Sequence, residues 1–322
     1  MSMKKYAALA AVAALTLAGC AAPAADNAGG GATKDIKICV YTHGDGGTFW
    51  SVAQKGAEQA GADLGITVDY QGSTNDAAKQ AATIEAGVAA GCQGIAASAP
   101  DPEAIKSAML AAHDAGIPTV TMNSGSAVFK DLGAFTHVGQ DEIVAGREAG
   151  LKFNAMGVKH VLCPIQEAAN VGLEQRCQGL AETFKGKAEN FNLDGGLQDL
   201  TAAAAKLQAA LEADKTIDAV FALNADIAAK AVLPAAEAAG LTLKIGTVDM
   251  SPEALDAIEA GTMEFAIDQQ QYAQGYMSVV LLYLNLTNGH ELGGGLPIYT
   301  GPGFVTKDNV TKVKELVAAG TR

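Results

Sequence analysis

From residue 36 onward the chain alternates short apolar runs with longer stretches in which apolar residues recur every three or four positions. The runs read as strands and the periodic stretches as helices. Strands are expected at 36–42, 67–70, 94–98 and 118–122, with helices at 49–64, 75–90 and 102–115 between them. The rhythm resumes with strands 134–138, 160–164, 188–193, 219–223, 244–248 and 264–268. Helices are expected after these at 141–156, 169–184, 197–213, 225–239, 251–260 and 271–287. In 75–90, Ala77, Ala81, Ile84 and Val88 are spaced by four, three and four, which puts them on one helical face. Asp101-Pro102-Glu103 supplies an N-cap, a proline at the first helical position and an acid in the first turn; Ser251-Pro252-Glu253 repeats it. Pro234 falls inside 225–239 and should kink or split that helix.

Repeated β-α-β units imply parallel sheets covered by helices on both faces. The strands are too many for one ordinary sheet. The expected class is therefore α/β, with two doubly wound parallel-sheet lobes. The break falls near 123–140, where NSGSAVFKDLGAFTHVGQ interrupts the helical rhythm.

The front of the chain follows a different pattern. Lys4 and Lys5 precede a nearly unbroken apolar run from Tyr6 to Ala18, and Leu17-Ala18-Gly19 leads into Cys20. A basic start, a short apolar core and small residues form a secretory signal, here 1–19, and the run is too short to span a bilayer. The cysteine after Leu-Ala-Gly resembles a bacterial lipobox, in which Cys20 would carry a lipid and become the mature N-terminus. Residues 20–35 (CAAPAADNAGGGATKD) have little to bury and read as a flexible tether. The expectation is a protein held outside the cytoplasmic membrane by a lipid on Cys20.

Hydrophobic residues make up 49% of the chain against 18% charged, enough for a sizeable core. The formal charge is −13, or −15 once Lys4 and Lys5 leave with the signal. Such an acidic surface argues against nucleic acid and against lying flat on anionic lipid. Cys163 ends a strand and Cys177 lies in the helix after it, a candidate disulfide in an oxidising compartment worth roughly 3 kcal/mol. Cys39, in an apolar strand, and Cys92, in a turn, read as buried free thiols. The histidines at 43, 113, 137, 160 and 290 are scattered without HExxH or CxxC spacing, so neither metal nor cofactor is expected.

Ligands of open parallel sheets bind at the carboxyl ends of the strands. The residues there are Ser98 and Asp101, Asn123 and Ser124, Gln140 and Asp141, Asn224, Asp249, and Gln269. Neutral amides and single carboxylates of this kind suit a neutral polyhydroxylated ligand, whose hydroxyls each donate and accept. The first loop, Thr42-His43-Gly44-Asp45-Gly46-Gly47-Thr48-Phe49-Trp50, adds glycines that let backbone approach a ligand and two rings able to stack on a sugar face. Other motifs are incomplete. Gly44-Asp45-Gly46 lacks the third glycine of a dinucleotide fingerprint, Phe49 standing there. The run from Asn190 to Gly195 begins like a calcium loop but has Thr201 at its twelfth position. Ser124 lacks the glycines of a nucleophile elbow.

An ordered series of segments then resembles one family: THGDGGTFWSVAQKGAEQA, SAPDPEAI, AGIPTVTMNS, HVGQDEIVAGREAG, LEQRCQG, FALNADIAAKAVL, IGTVDMSPEAL and AIDQQQYAQGY. Together, across 36–310, they resemble the type I periplasmic, ribose-binding-like sugar receptors of ABC importers. The resemblance implies two lobes joined by three crossings with the ligand between them. The N-terminal lobe would comprise 36–139 with 270–297, and the C-terminal lobe 140–269 with 298–322. By position, Phe49 and Trp50 would stack on the ring. Ser98, Asn123, Gln140 or Asp141, Arg176, Asn224, Asp249 and Gln269 would hold hydroxyls. Ribose binders typically have Asp-Arg where this chain has Asn123-Ser124, and the longer first loop adds His43 and Asp45 as contacts.

The expected function is capture of a simple sugar or polyol by hinge closure and delivery to an ABC permease and its ATPase, by a monomer that catalyses no reaction. A sugar or furanone receptor feeding a chemoreceptor or kinase would have the same fold and pocket. An exported sugar-processing enzyme would need two facing carboxylates, for which Asp141 and Asp249 are the candidates. Repressors that share this fold carry an N-terminal helix-turn-helix, where this chain has a signal.

Overall fold

The computed structural model describes residues 35–322; the signal 1–19, the anchor Cys20 and all but the last residue of the tether 20–35 lie outside the described residues. The first half runs β1 (Lys37–Thr42), α1 (Gly47–Leu64), β2 (Thr67–Gly72), α2 (Ala77–Ala89), β3 (Gly94–Ser98), α3 (Pro102–Asp114), β4 (Thr119–Met122) and β5 (Thr136–Gln140). Next come α4 (Glu142–Ala155), β6 (His160–Ile165), α5 (Val171–Thr183), β7 (Lys187–Asn192), α6 (Leu200–Ala213) and β8 (Ala219–Ala222). After these follow α7 (Ala225–Ile227), α8 (Leu233–Ala238), β9 (Lys244–Val248), α9 (Pro252–Ala260) and β10 (Phe265–Asp268). The chain closes with α10 (Gln271–Asn288), β11 (Ile298–Gly301), β12 (Gly303–Val305) and α11 (Val310–Ala318). No helix among the described residues is long and apolar enough to cross a membrane.

Two six-stranded sheets result, ordered β2-β1-β3-β4-β5-β11 and β7-β6-β8-β9-β10-β12. Every pairing is parallel except β12 against β10. Strands β3, β4 and β5 are buried along their whole length, as strands covered on both faces must be. Alternation along β1 divides the first core. Ile38 and Val40 pack with Ala53, Ala57, Val279 and Leu282 of α1 and α10, whereas Cys39 and Tyr41 face Ile84, Ile105 and Met109 of α2 and α3. The second sheet divides likewise, Val161 and Cys163 of β6 facing α4 and α5 while Leu162 faces α6.

The chain passes between the sheets at Gln140–Asp141, at Gln269–Gln270 and at Pro302. The last crossing corrects the expected boundary. Residues 298–301, read as part of the second lobe, form β11, which pairs with β5 at the edge of the first sheet. Pro234 splits its helix as expected: the segment opens into a π turn over Ala228–Val232 before α8 starts at Leu233.

Cys163 and Cys177 form a disulfide, with Cα atoms 6.0 Å apart. Cys39 and Cys92 are not free thiols; they form a second disulfide with Cα atoms 5.8 Å apart. The physical reason is strand order. β3 lies directly beside β1, pairing Ile38 with Gly94, so the residue two positions before Gly94 lands next to Cys39. By loop-closure entropy the two bridges contribute roughly 4 and 3 kcal/mol for loops of 53 and 14 residues.

Glycines bring the paired helices into contact. A Cβ on Gly146 of α4 would overlap the Arg176 carbonyl of α5, and one on Gly179 of α5 would overlap the Ile143 carbonyl of α4. This contact sets where Arg176 stands. Gly146→Ala is therefore expected to lower stability by about 1–3 kcal/mol through overpacking. It should also weaken ligand binding, because Arg176 moves with its helix. Urea unfolding and calorimetry on the same preparation check both effects; unchanged values would mean the helices tolerate separation.

Candidate functional site

Strands of both sheets end on one cleft of about 380 Å³ between the lobes. It is lined by His43, Asp45, Phe49, Trp50, Asn123, Arg176, Asn224, Asp249 and Gln269, all expected from the sequence.

The first loop supplies one wall. Gly46 and Gly47 have φ of 63° and 62°, conformations that favour glycine. Gly44 has no side chain where the Trp50 indole lies; a Cβ there would collide with it. Trp50 meets His43 and Phe49 edge-on, each at a centroid distance of 4.8 Å, and also packs on the core beneath α1. His43 follows β1 and is buried. Ser98 Oγ accepts the His43 backbone N–H at 2.8 Å and lies 2.8 Å from its Nδ1. Gln80 Nε2 donates to the same oxygen at 3.4 Å, so with both lone pairs engaged the hydroxyl gives its own hydrogen to Nδ1, which leaves the proton on Nε2. Nε2 points across the cleft to Glu167, 3.8 Å away. Burial holds the His43 pKa below the ordinary range, so the ring is a neutral donor.

The floor is built from two equivalent positions. Asn123 after β4 and Asp249 after β9 both take the left-handed conformation, at φ 62° and 69°, which Asn and Asp adopt more readily than other side-chain residues. Each donates its backbone N–H to the neighbouring strand, Asn123 to the Val138 carbonyl and Asp249 to that of Ile267. This conformation turns both side chains onto the cleft. Gln269 joins them: its Nε2 donates to Asp249 Oδ1 at 2.6 Å, and its Oε1 accepts from Asn123 Nδ2 at 3.4 Å. The link runs from one lobe to the other.

Arg176 is 4% exposed and held from behind. Its Nε and Nη2 donate to the two oxygens of Glu142 at 2.5 and 3.0 Å, and Nη1 donates to the Leu223 carbonyl at 3.1 Å. An N–H on each Nη remains for the cleft. Burial opposes the charge, but Glu142 holds the Arg176 pKa above its ordinary value. Asp249 behaves in the opposite way: burial pushes its carboxyl up to about 7 despite the pull of Arg176 and the Gln269 hydrogen bond. Asn224 uses Oδ1 to cap α7 through the Asp226 and Ile227 amides, which leaves its NH₂ for the cleft.

Three expected contacts stand elsewhere. Ser98 is fully buried behind His43, where Gln80 also donates to its carbonyl. Gln140 donates to Glu142 Oε2, behind Arg176. Asp141 caps α4 through the Val144 amide, so it does not face Asp249 and the carboxylate pair considered for glycoside chemistry is not assembled. Helix capping claims this side chain because it is the first residue before α4. Conversely, Gln166, Glu167 and Asn170 line the cleft from the loop after β6, and Glu142 sits behind it. Reading the end of β6 by the rule used for the other strands would have found Gln166 and Glu167. Glu142 gave no sequence signal.

The cleft therefore offers an aromatic wall and fixed donors and acceptors from both lobes, a surface suited to a ring bearing several hydroxyls. Contacts across the cleft are already made: Val171 N–H donates to the Pro100 carbonyl at 3.1 Å, and Ser124 Oγ to Asn170 Oδ1 at 3.5 Å.

Residues 38–291 match the model of a periplasmic binding protein domain family. A carbohydrate transporter from Acidothermus cellulolyticus 11B, solved in complex with myo-inositol, is 40% identical. The similarity covers 90% of this chain and 100% of that one, at a TM-score of 0.86. The xylose/arabinose-binding protein of Sulfolobus acidocaldarius is 23% identical over 85% of this chain and 72% of its own length. The ribose import binding protein of Haemophilus influenzae is 26% identical over 78% of this chain and 85% of its own. With its two-lobed type I architecture, the chain belongs to the periplasmic binding protein family.

Proposed function

We propose that this chain is an extracytoplasmic solute-binding protein that captures a monosaccharide or cyclic polyol between its lobes, with myo-inositol the first compound to test. One observation carries the reading: donors and acceptors from both lobes, Asn123 on one side and Arg176, Asn224 and Asp249 on the other, converge on a cleft walled by Trp50. The relative that holds myo-inositol, 40% identical, supports the choice of ligand. Replacing the Asp-Arg of ribose binders, Asn123-Ser124 weighs against ribose itself.

Closure follows from differential affinity. A ligand touching both lobes interacts fully only when they meet, so binding shifts the open–closed equilibrium by that difference. The closed protein would then deliver its ligand to an ABC permease and its ATPase, acting as a monomer and catalysing no reaction. A lipid on Cys20 would keep it at the membrane and raise its effective concentration near the importer. Disulfides at Cys39–Cys92 and Cys163–Cys177 fit an oxidising location.

The test is calorimetric titration of the mature protein with myo-inositol, D-ribose, D-xylose and D-arabinose, with Trp50 fluorescence recorded in parallel. Saturable binding to one of them at about micromolar affinity, roughly 8 kcal/mol, is expected. Absence of binding across the panel, from protein shown by mass analysis to carry no bound ligand, would overturn the reading.

A further inference from the structure

Beside the main cleft lies a second chamber of about 280 Å³, also between the lobes. The two are continuous: His43, Gln166, Glu167 and Asn170 line both. Asp101 enters the chamber from the first lobe, and Asp194 and Gln198 from the second.

Its charges are of one sign. Among the lining residues, the charged side chains are Asp101, Glu167 and Asp194, and His43 is held neutral by burial. No lysine or arginine pairs with any of the three among the described residues. Asp101 accepts from the Ala104 amide, Asp194 from the Ala168 amide, and Glu167 from Asn170 Nδ2 at 2.7 Å. In the adjoining cleft Arg176 is paired with Glu142 and its charge also acts on Glu167, which leaves Asp101 and Asp194 without a cation.

A second observation points to a ligand. Gln166 is 4% exposed, and its Oε1 has no hydrogen-bond partner. A buried amide oxygen left so keeps the full cost of its lost hydration, so a donor is expected to meet it. Four acceptors of two kinds thus line one space: the unpaired amide oxygen of Gln166 and the carboxylates of Glu167, Asp101 and Asp194. A ligand hydroxyl would supply one hydrogen and no charge. An ammonium supplies three hydrogens, needs no acceptor, and relieves the repulsion among the carboxylates.

We propose that the side chamber receives a protonated amine carried by the ring in the main cleft, so that the preferred ligand is an amino-substituted polyol or sugar. This rests on the reading of the cleft as a sugar or polyol site, and the test separates the two. Calorimetry compares myo-inositol with an aminodeoxy-inositol, and D-glucose with D-glucosamine, on the mature protein. The amine of each pair is expected to bind about tenfold more tightly at low salt. Its advantage should shrink as ionic strength rises from about 0.02 to about 0.5 M. Asp101→Asn and Asp194→Asn retain a side-chain oxygen to accept from the Ala104 and Ala168 amides, and both residues line the chamber alone; together they should remove most of the amine's advantage while the neutral partner binds as before. If a neutral compound binds and its amine binds no better, or if the double variant leaves the advantage intact, the chamber is not an amine site. Binding of neither class would overturn the cleft reading and this inference with it.

Discussion

Arg176→Ala is expected to abolish measurable ligand capture and to lower the unfolding free energy by about 3–5 kcal/mol. The two losses have different causes. Binding fails because the Nη hydrogens facing the cleft disappear, and charge-assisted hydrogen bonds contribute about 1.5–3 kcal/mol each. Stability falls because Glu142, 2% exposed, keeps its carboxylate while losing both guanidinium hydrogen bonds. The double replacement Arg176→Met with Glu142→Gln separates them. It removes both partners of the buried pair and leaves no unpaired Glu142 carboxylate, so most of the stability should return, whereas binding should not. Urea unfolding and calorimetry on the three proteins give the result. Retention of native affinity in Arg176→Ala would remove Arg176 from the site.

The second large effect belongs to Asp249→Asn. Its carboxyl, 5% exposed, is raised from 3.8 to about 7 chiefly by burial. A group that holds its proton more tightly folded than unfolded stabilises the fold at low pH. That contribution is complete below about 4 and is lost as pH rises through about 7. The ligand-free native protein should thus lose stability across this window. Asparagine has no proton to lose and can keep the hydrogen bond from Gln269. The variant should therefore match the native protein near pH 4 and melt several degrees higher near pH 8, at roughly 2–4 °C per kcal/mol. At the same time it should bind about 10- to 100-fold more weakly, having lost a charged acceptor. Melting curves across pH with calorimetry at pH 8 test the pair. A variant less stable than native at pH 8 would show that Asp249 is not held at the expense of the fold.

These two residues were not equally legible in the sequence. Asp249, Asn123, Asn224 and Gln269 follow apolar runs that can only be buried parallel strands, so their place at a sheet's carboxyl edge could be read directly. Arg176 lies within a helix, where only the family resemblance points to it. Its partner Glu142 is 34 positions away and becomes a neighbour only when α4 and α5 pack through Gly146 and Gly179. The Cys39–Cys92 bond has the same origin: β1 and β3 are adjacent in space while β2 lies between them in sequence. Strands β11 and β12 escaped because they are short edge strands around Gly301-Pro302-Gly303, without an apolar run to announce them. Asp141 is ambiguous in the sequence for the opposite reason. A carboxylate just before a helix can cap it or face a ligand, and local spacing does not choose between the two.

The most direct measurement is a crystal structure of the mature protein with whichever compound of the panel binds most tightly. The expected density places one ring against Trp50 in the cleft, its hydroxyls within hydrogen-bond reach of Asn123, Arg176, Asn224 and Asp249, with the lobes closed on it. Ligand density outside the cleft, or a ring touching residues of one lobe alone, would contradict capture between the lobes.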